Sequence, residues 1–199
     1  MKDEISDASL LARETDKYAR IWRIPDYTFW SGECEEISKF LVWIDKRPVK
    51  SILVLGCGEG FGLHKLAMAG YQVFGVDLVD VLKFPEYKKR LTIASVWQLP
   101  YKSLQFDALL CCDVLEHIPP SKVLVALQEI NRVSKFWYCT ISCQPDNMGK
   151  KIDEVLHLSV RSPGWWIDKL ALFSNLWGFS GNTGHVKVYG RHKGNTGDR

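Results

Sequence analysis

No stretch of this chain approaches 18 consecutive apolar residues, and no segment repeats or falls to low complexity. A membrane-spanning helix and a repeat architecture are therefore not expected. Met1-Lys2-Asp3-Glu4 does not lead into a secretory signal, so a cytoplasmic location is the expectation. No pair among the six cysteines (Cys34, Cys57, Cys111, Cys112, Cys139 and Cys143) forms C-x-x-C. Cys111, Cys112 and Cys139 fall in apolar runs and Cys57 in a glycine turn, where a cysteine behaves as a small buried hydrophobe. Cys139, Cys143 and His157 could together offer zinc ligands, but at a nonstandard spacing. Reduced thiols and no metal are the expectation. Net charge is also scarce: the formal +3 is too small to imply nucleic-acid binding. The excess sits in residues 147–199, with eight Lys/Arg against four Asp/Glu. That suits either a solvated tail or a local surface for an anionic substrate.

What is present centres on Ser51–Asp77. An apolar run from Ile52 to Leu55, short enough for a buried strand, meets glycines at 56, 58, 60 and 62. A helical pattern follows, then a second apolar run ending at Asp77. Strand, glycine turn, helix and acid-tipped strand make half of a nucleotide-binding α/β unit. Glycine lets the turn tighten and a ligand approach the backbone. Asp77, 19 residues after Gly58, lies where a carboxylate can accept hydrogen bonds from both hydroxyls of a ribose. The dinucleotide pattern G-x-G-x-x-G is absent, since Phe61 takes its sixth position, and no P-loop Lys-Ser/Thr pair follows.

The remaining chain alternates in the same way. Residues 1–30 hold Tyr18, Trp22, Tyr27, Phe29 and Trp30, an aromatic cluster that either closes over a site or packs on the domain. Ser31-Gly32-Glu33 reads as a turn. Ile37, Phe40, Leu41 and Ile44 predict an amphipathic helix over 34–45. Leu91–Ala94, Phe106–Cys112, Phe136–Ile141 and His185–Tyr189 read as further strands, with Ser121 as the cap of a helix between the second and third of them. Residues 142–162 are polar and irregular, the kind of long loop that carries function. Ser162-Pro163 predicts cap and first position of a helix bearing Trp165 and Trp166. The segment between Trp177 and His185 is short, so the sixth strand is expected to be trimmed. Lys193–Arg199 reads as a tail. Continuous apolar strands alternating with helices predict a mostly parallel sheet covered on both faces.

LGCGEG at 55–60 resembles the first motif of class I S-adenosylmethionine-dependent methyltransferases. Ala94-Ser95-Val96-Trp97-Gln98-Leu99-Pro100 is similar to that family's adenine-binding segment, and Asp113-Val114-Leu115-Glu116-His117-Ile118 to its fourth motif. With Trp22, Pro25 and Tyr27 before them and HLSVRSPGWW after, the likeness spans most of residues 18–173. It resembles a small phage-type and bacterial group in particular. The resemblance implies an α/β, Rossmann-like class I methyltransferase fold and S-adenosylmethionine as cofactor. It implies cofactor contacts from Gly56, Cys57, Gly58, Gly60, Asp77, Leu78, Ser95, Val96, Trp97 and Asp113. Residues 1–47 would form a cap, 51–142 the cofactor core and 143–192 the acceptor side of one domain.

His117 and His157 are the acid/base candidates, since imidazole titrates near neutrality; either could instead hold a loop by hydrogen bonds. Trp97 and the paired tryptophans are open to a packing role as well. The family commonly carries acids where Val54 and Ser95 stand here. Ile118-Pro119-Pro120-Ser121 lacks the polar first residue and the stacking aromatic of the base-gripping motif of amino-methylating DNA enzymes, and no Pro-Cys pair serves 5-cytosine chemistry. A small molecule, a glycan or a similar acceptor methylated on oxygen or nitrogen is the expectation. A non-catalytic cofactor-binding or assembly module is the alternative.

Overall fold

The computed structural model describes residues 6–25, 27 and 35–194. Seven strands form one sheet: β1 Ser51–Leu55, β2 Gln72–Asp77, β3 Leu91–Ile93, β4 Phe106–Cys112, β5 Ser134–Ser142, β6 Ser174–Asn182 and β7 His185–His192. Their order is β3-β2-β1-β4-β5-β7-β6. The first five run parallel, β7 is antiparallel to β5, and β6 is antiparallel to β7. This is the Rossmann-like α/β layout expected. The order reverses at β1 and β4, and it is outside the carboxyl ends of strands at such a point that ligands bind in open α/β sheets.

Side chains alternate across β1, which lets one strand feed two cores. Leu53 and Leu55 join Trp137, Cys139 and the buried faces of α4 (Val123–Val133) and α5 (Pro163–Phe173). Ile52 and Val54 face the other way, with Tyr138, α2 (Glu35–Ile44) and α3 (Phe61–Met68). Val54, where an acid is common, is thus part of a closed apolar layer. Ser162 caps α5 as expected, its hydroxyl accepting from the Trp165 N–H at 3.3 Å with Pro163 first in the helix.

Two expectations need correction, and one helix was not anticipated. Residues 7–21 form a helix, α1, capped by Ser6, which accepts from the Ser9 N–H at 3.2 Å. Its apolar periodicity is hidden because Glu14 and Lys17, an ion pair, occupy buried positions beside Ile21. Ser121 does not cap α4; it lies inside a short 3-10 turn, Pro120–Lys122, and the helix begins at Val123 without a side-chain cap. The sixth strand is not trimmed. It runs nine residues along the sheet edge, and its exposure and two glycines (Gly178, Gly181) erase the buried-strand pattern. Of the N-terminal aromatic cluster, Phe29 and Trp30 lie outside the described residues, as do the Ser31-Gly32-Glu33 turn and the tail from 195 on.

Leu53, fully buried in the central strand, should cost about 2–5 kcal/mol of stability when cut to alanine. Val42, 77% exposed on α2, should cost less than about 0.5 kcal/mol. Urea unfolding of both variants checks this, and equal losses would contradict the assigned core.

Candidate functional site

The tips of β1, β2 and β4 and the loop after β3 open into one cleft, closed from above by α1 and the residues just after it. Gly56, Asp77, Leu78, Val96, Trp97 and Asp113 form its wall on the sheet side. Glu14, Tyr18, Trp22 and Tyr27 face them from the N-terminal segment.

The glycine loop is shaped by contacts that a side chain would break. Gly56 has φ +62°, and a Cβ there would come within 2.4 Å of Val114 Cγ2. Gly58 has φ +50°, and the Trp22 ring stands 3.1 Å from its missing Cβ. The Gly58 N–H donates to Asp77 Oδ2 at 2.8 Å, while Oδ1 of the same carboxylate accepts from the Leu78 N–H at 2.8 Å. Burial raises the Asp77 carboxyl above its ordinary range despite these donors. Cys57 packs behind the loop and Gly60 precedes α3 under Leu82, so neither lines the cleft. Ser95 does not line it either. Its hydroxyl is buried without a hydrogen-bond partner, unlike its neighbours Ala94, Val96 and Trp97.

Asp113 leaves β4 at φ +51°, a conformation that costs a non-glycine residue energy and must be held by its surroundings. Its N–H donates to the Thr140 carbonyl at 2.9 Å, and its Oδ1 accepts from His185 Nε2 at 2.7 Å and from the Thr140 hydroxyl at 3.3 Å. That carboxylate raises the His185 imidazole above its ordinary value.

His117 lines the cleft, its Nδ1 2.7 Å from the Tyr18 hydroxyl. Burial, with the neighbouring His157 and Lys17, pushes its pKa down to about 3. His157 is not a cleft residue; it stacks edge-on against His117 with ring centroids 4.6 Å apart, and its Nδ1 lies 2.6 Å from the Gln144 carbonyl oxygen. Glu116 is fully buried beside them. Cys139 and Cys143 are buried and join no ligand cluster among the described residues. Trp166 is core, and Trp165 packs against it, so the paired tryptophans do not wall the cleft. The sequence did not mark Glu14 or His185 as site residues, and it held Tyr18 and Glu116 only as members of the aromatic cluster and of the motif-like segment at 113–118. Only the S-x-x-S start of α1 hints that Glu14 and Tyr18, four apart, share a helix face.

A methyltransferase domain family model matches residues 53–135. An uncharacterized protein of Methanocaldococcus jannaschii is 37% identical over 102 residues, covering 51% of this chain and 43% of its own length. A ubiquinone biosynthesis O-methyltransferase of Pseudomonas putida is 29% identical over 142 residues, 60% of each chain. This chain therefore spans less than two thirds of either relative. Among solved structures, Burkholderia thailandensis 1,6-didemethyltoxoflavin-N1-methyltransferase, with its acceptor and S-adenosylhomocysteine bound, superposes with a TM-score of 0.68 at 15% identity, covering 96% of this chain and 93% of that one. The chain has the class I methyltransferase fold.

Replacing Asp113 by Asn should return the His185 pKa toward about 6.5, its unperturbed value. Because the folded-state value is raised, the pair's stabilisation is complete below about pH 6.5, the unperturbed value, and is lost as pH rises through the raised folded-state value. NMR titration of the His185 ring checks both; an unshifted midpoint in D113N would contradict the pairing.

Proposed function

We propose that this chain binds S-adenosylmethionine across the tips of β1 and β2 and transfers its methyl group to an oxygen or nitrogen of a small molecule, a glycan or a similar acceptor. The observation that carries the reading is the Asp77 carboxylate clamped to the Gly58 N–H at the floor of the cleft. Two carboxylate oxygens offer about four acceptor sites, and the Gly58, Leu78 and Val79 N–H groups take three of them, so Asp77 keeps capacity for one ribose hydroxyl while holding the glycine loop. Gly56 opens the wall to close approach, and Val96 and Trp97 supply apolar surface for an adenine ring. Ser95 contributes backbone shape here rather than its hydroxyl.

The cleft encloses about 100 Å³, below the roughly 300–1,000 Å³ of sites that bury a ligand of this size. Trp22, seated on Gly58, is the side chain whose displacement opens it. The N-terminal segment thus acts as a cover over the cofactor core of residues 51–142, with residues 143–192 on the acceptor side.

Bound S-adenosylmethionine supplies a methyl carbon on a sulfonium, which needs alignment with its acceptor more than it needs chemical activation. Asp113, Val114 and His117 on one side and Trp22 and Tyr27 on the other hold the acceptor and exclude water. A His117 pKa of about 3 makes it a poor base near neutrality. Its assigned role is therefore to position, through its bond to Tyr18, and His157 acts on the cleft only through His117. An amine acceptor, which needs no strong base, fits this wall well. Similarity to O- and N-methylating proteins supports both acceptor atoms. No described helix is long and apolar enough to cross a membrane; a cytoplasmic location and a small acceptor rather than nucleic acid are part of the same proposal.

The packed Val54 and the buried, unpartnered Ser95 hydroxyl favour a second reading, a binding module without turnover. Calorimetry with S-adenosylhomocysteine should show binding by the wild type and a loss of about 1–3 kcal/mol in Asp77→Ala. Unchanged affinity would remove Asp77 as the ribose ligand. Methyl transfer to none of a set of small-molecule and glycan pools, with binding intact, would favour the module.

A further inference from the structure

Glu116, His117 and His157 each offer one ligand atom within 4.8 Å of the other two. We propose that these three residues, beside the cleft, bind a divalent first-row transition-metal ion such as zinc. The sequence alone suggests no metal, because the third ligand arrives from a loop 40 residues downstream whose approach depends on tertiary contacts.

Four observations carry the assignment. The first is the carboxylate. Glu116 is fully buried; its Oε1 accepts from the Ser142 N–H at 2.7 Å, and its Oε2 has no hydrogen-bond partner. A buried carboxyl oxygen without a partner is costly unless a cation or donor completes it, and each imidazole has a nitrogen within 4.8 Å of a Glu116 carboxyl oxygen. The second is tautomeric. A carbonyl oxygen can only accept, so the His157 Nδ1, 2.6 Å from the Gln144 carbonyl, must carry the proton. Nε2 of the neutral ring is then left with a free lone pair. An Nδ1–H donated to a backbone carbonyl is the usual way a metal-binding histidine is oriented.

The third is at His117, whose Nδ1 is paired with the Tyr18 hydroxyl at 2.7 Å; a hydroxyl can accept as well as donate, and with Nδ1–H donating to it the His117 Nε2 keeps its lone pair for a metal. The fourth is the way the loop is built. The Ser159 N–H donates to the Glu116 carbonyl at 2.8 Å and the buried Ser159 hydroxyl to the Ile118 carbonyl at 2.7 Å. These bonds pin the segment carrying His157 onto the segment carrying Glu116 and His117, so the three ligands are held together by buried backbone contacts.

Two imidazoles and one carboxylate are a donor set that suits zinc, iron, cobalt or nickel, and they leave positions open for water or an added ligand. Bonds of about 2.0–2.1 Å would draw tetrahedral ligand atoms to roughly 3.4 Å apart, so binding requires side-chain rotation and no change of fold. Since His117 lines the cleft, an ion here stands at the edge of the space assigned to the acceptor. Metal binding does not itself depend on the methyl-transfer reading.

The test is titration of the chelator-stripped full chain with zinc by calorimetry, and with cobalt by visible absorption. One ion per chain is expected, with ligand-field bands in the cobalt form that zinc abolishes. His157→Ala, on a partly exposed loop, and the isosteric Glu116→Gln should each weaken zinc about 100-fold or more, beyond the range for losing a group that only orients a ligand. Tyr18→Phe should weaken it about tenfold. Circular dichroism establishes that each variant folds; if one does not, the other carries the comparison. Absence of saturable binding in the wild type, or equal affinity in a folded variant, would overturn the site. S-adenosylhomocysteine affinity of the stripped wild type and of H157A, measured in parallel, separates this result from the cofactor reading. Metal loss with cofactor binding retained supports the site alone, and the converse overturns only the cofactor.

Discussion

A single carboxylate joins the two parallel strands whose tips form the floor of the cleft. Asp77, at the end of β2, reaches across to the Gly58 N–H in the loop that leaves β1. A hydrogen bond to a charged group contributes about 1.5–3 kcal/mol, twice the neutral kind. The loop needs that tie, because Gly56 and Gly58 hold left-handed backbone conformations that the sheet does not impose. Burial works in the opposite direction and raises the Asp77 carboxyl. The structure therefore keeps a carboxylate where it is costly, in the one place where it both shapes a turn and presents oxygen to a ligand.

The second constraint comes from above. α1 is laid against the cleft through Tyr18 on His117, while the buried ion pair of Glu14 with Lys17 lies within the helix itself. Just beyond it, Trp22 rests on Gly58 and stacks edge-on with Tyr27 at 4.9 Å. The same glycine that donates its N–H to Asp77 thus carries an indole against its Cα face. Cover and floor meet at one residue, so opening the cleft and reshaping the glycine loop are coupled.

Much of the sheet was legible because its strands are short apolar runs with clear punctuation; Phe106–Cys112 is bounded in the structure as in the pattern. Ser162-Pro163 worked for the same reason, since capping is local chemistry. α1 was hidden by charges at core positions, and β6 by exposure and glycines at a sheet edge. Gly56 and Asp77, which line the cleft, could be placed at the tips of their strands because their spacing follows from a local turn. Ser95 could not: which face of its loop turns inward is decided by packing, and it turned away from the cleft. Glu116 and His157 meet only because residues 157–159 fold back onto 116–118, a contact without any signature in spacing.

The most direct test of the central claim is a crystal structure of the full chain with S-adenosylhomocysteine. The expected result is a ribose hydroxyl within hydrogen-bond distance of Asp77, the adenine against Val96 and Trp97, and Trp22 moved off Gly58. A ligand bound elsewhere, or an Asp77 carboxylate without contact to the ribose, would contradict it.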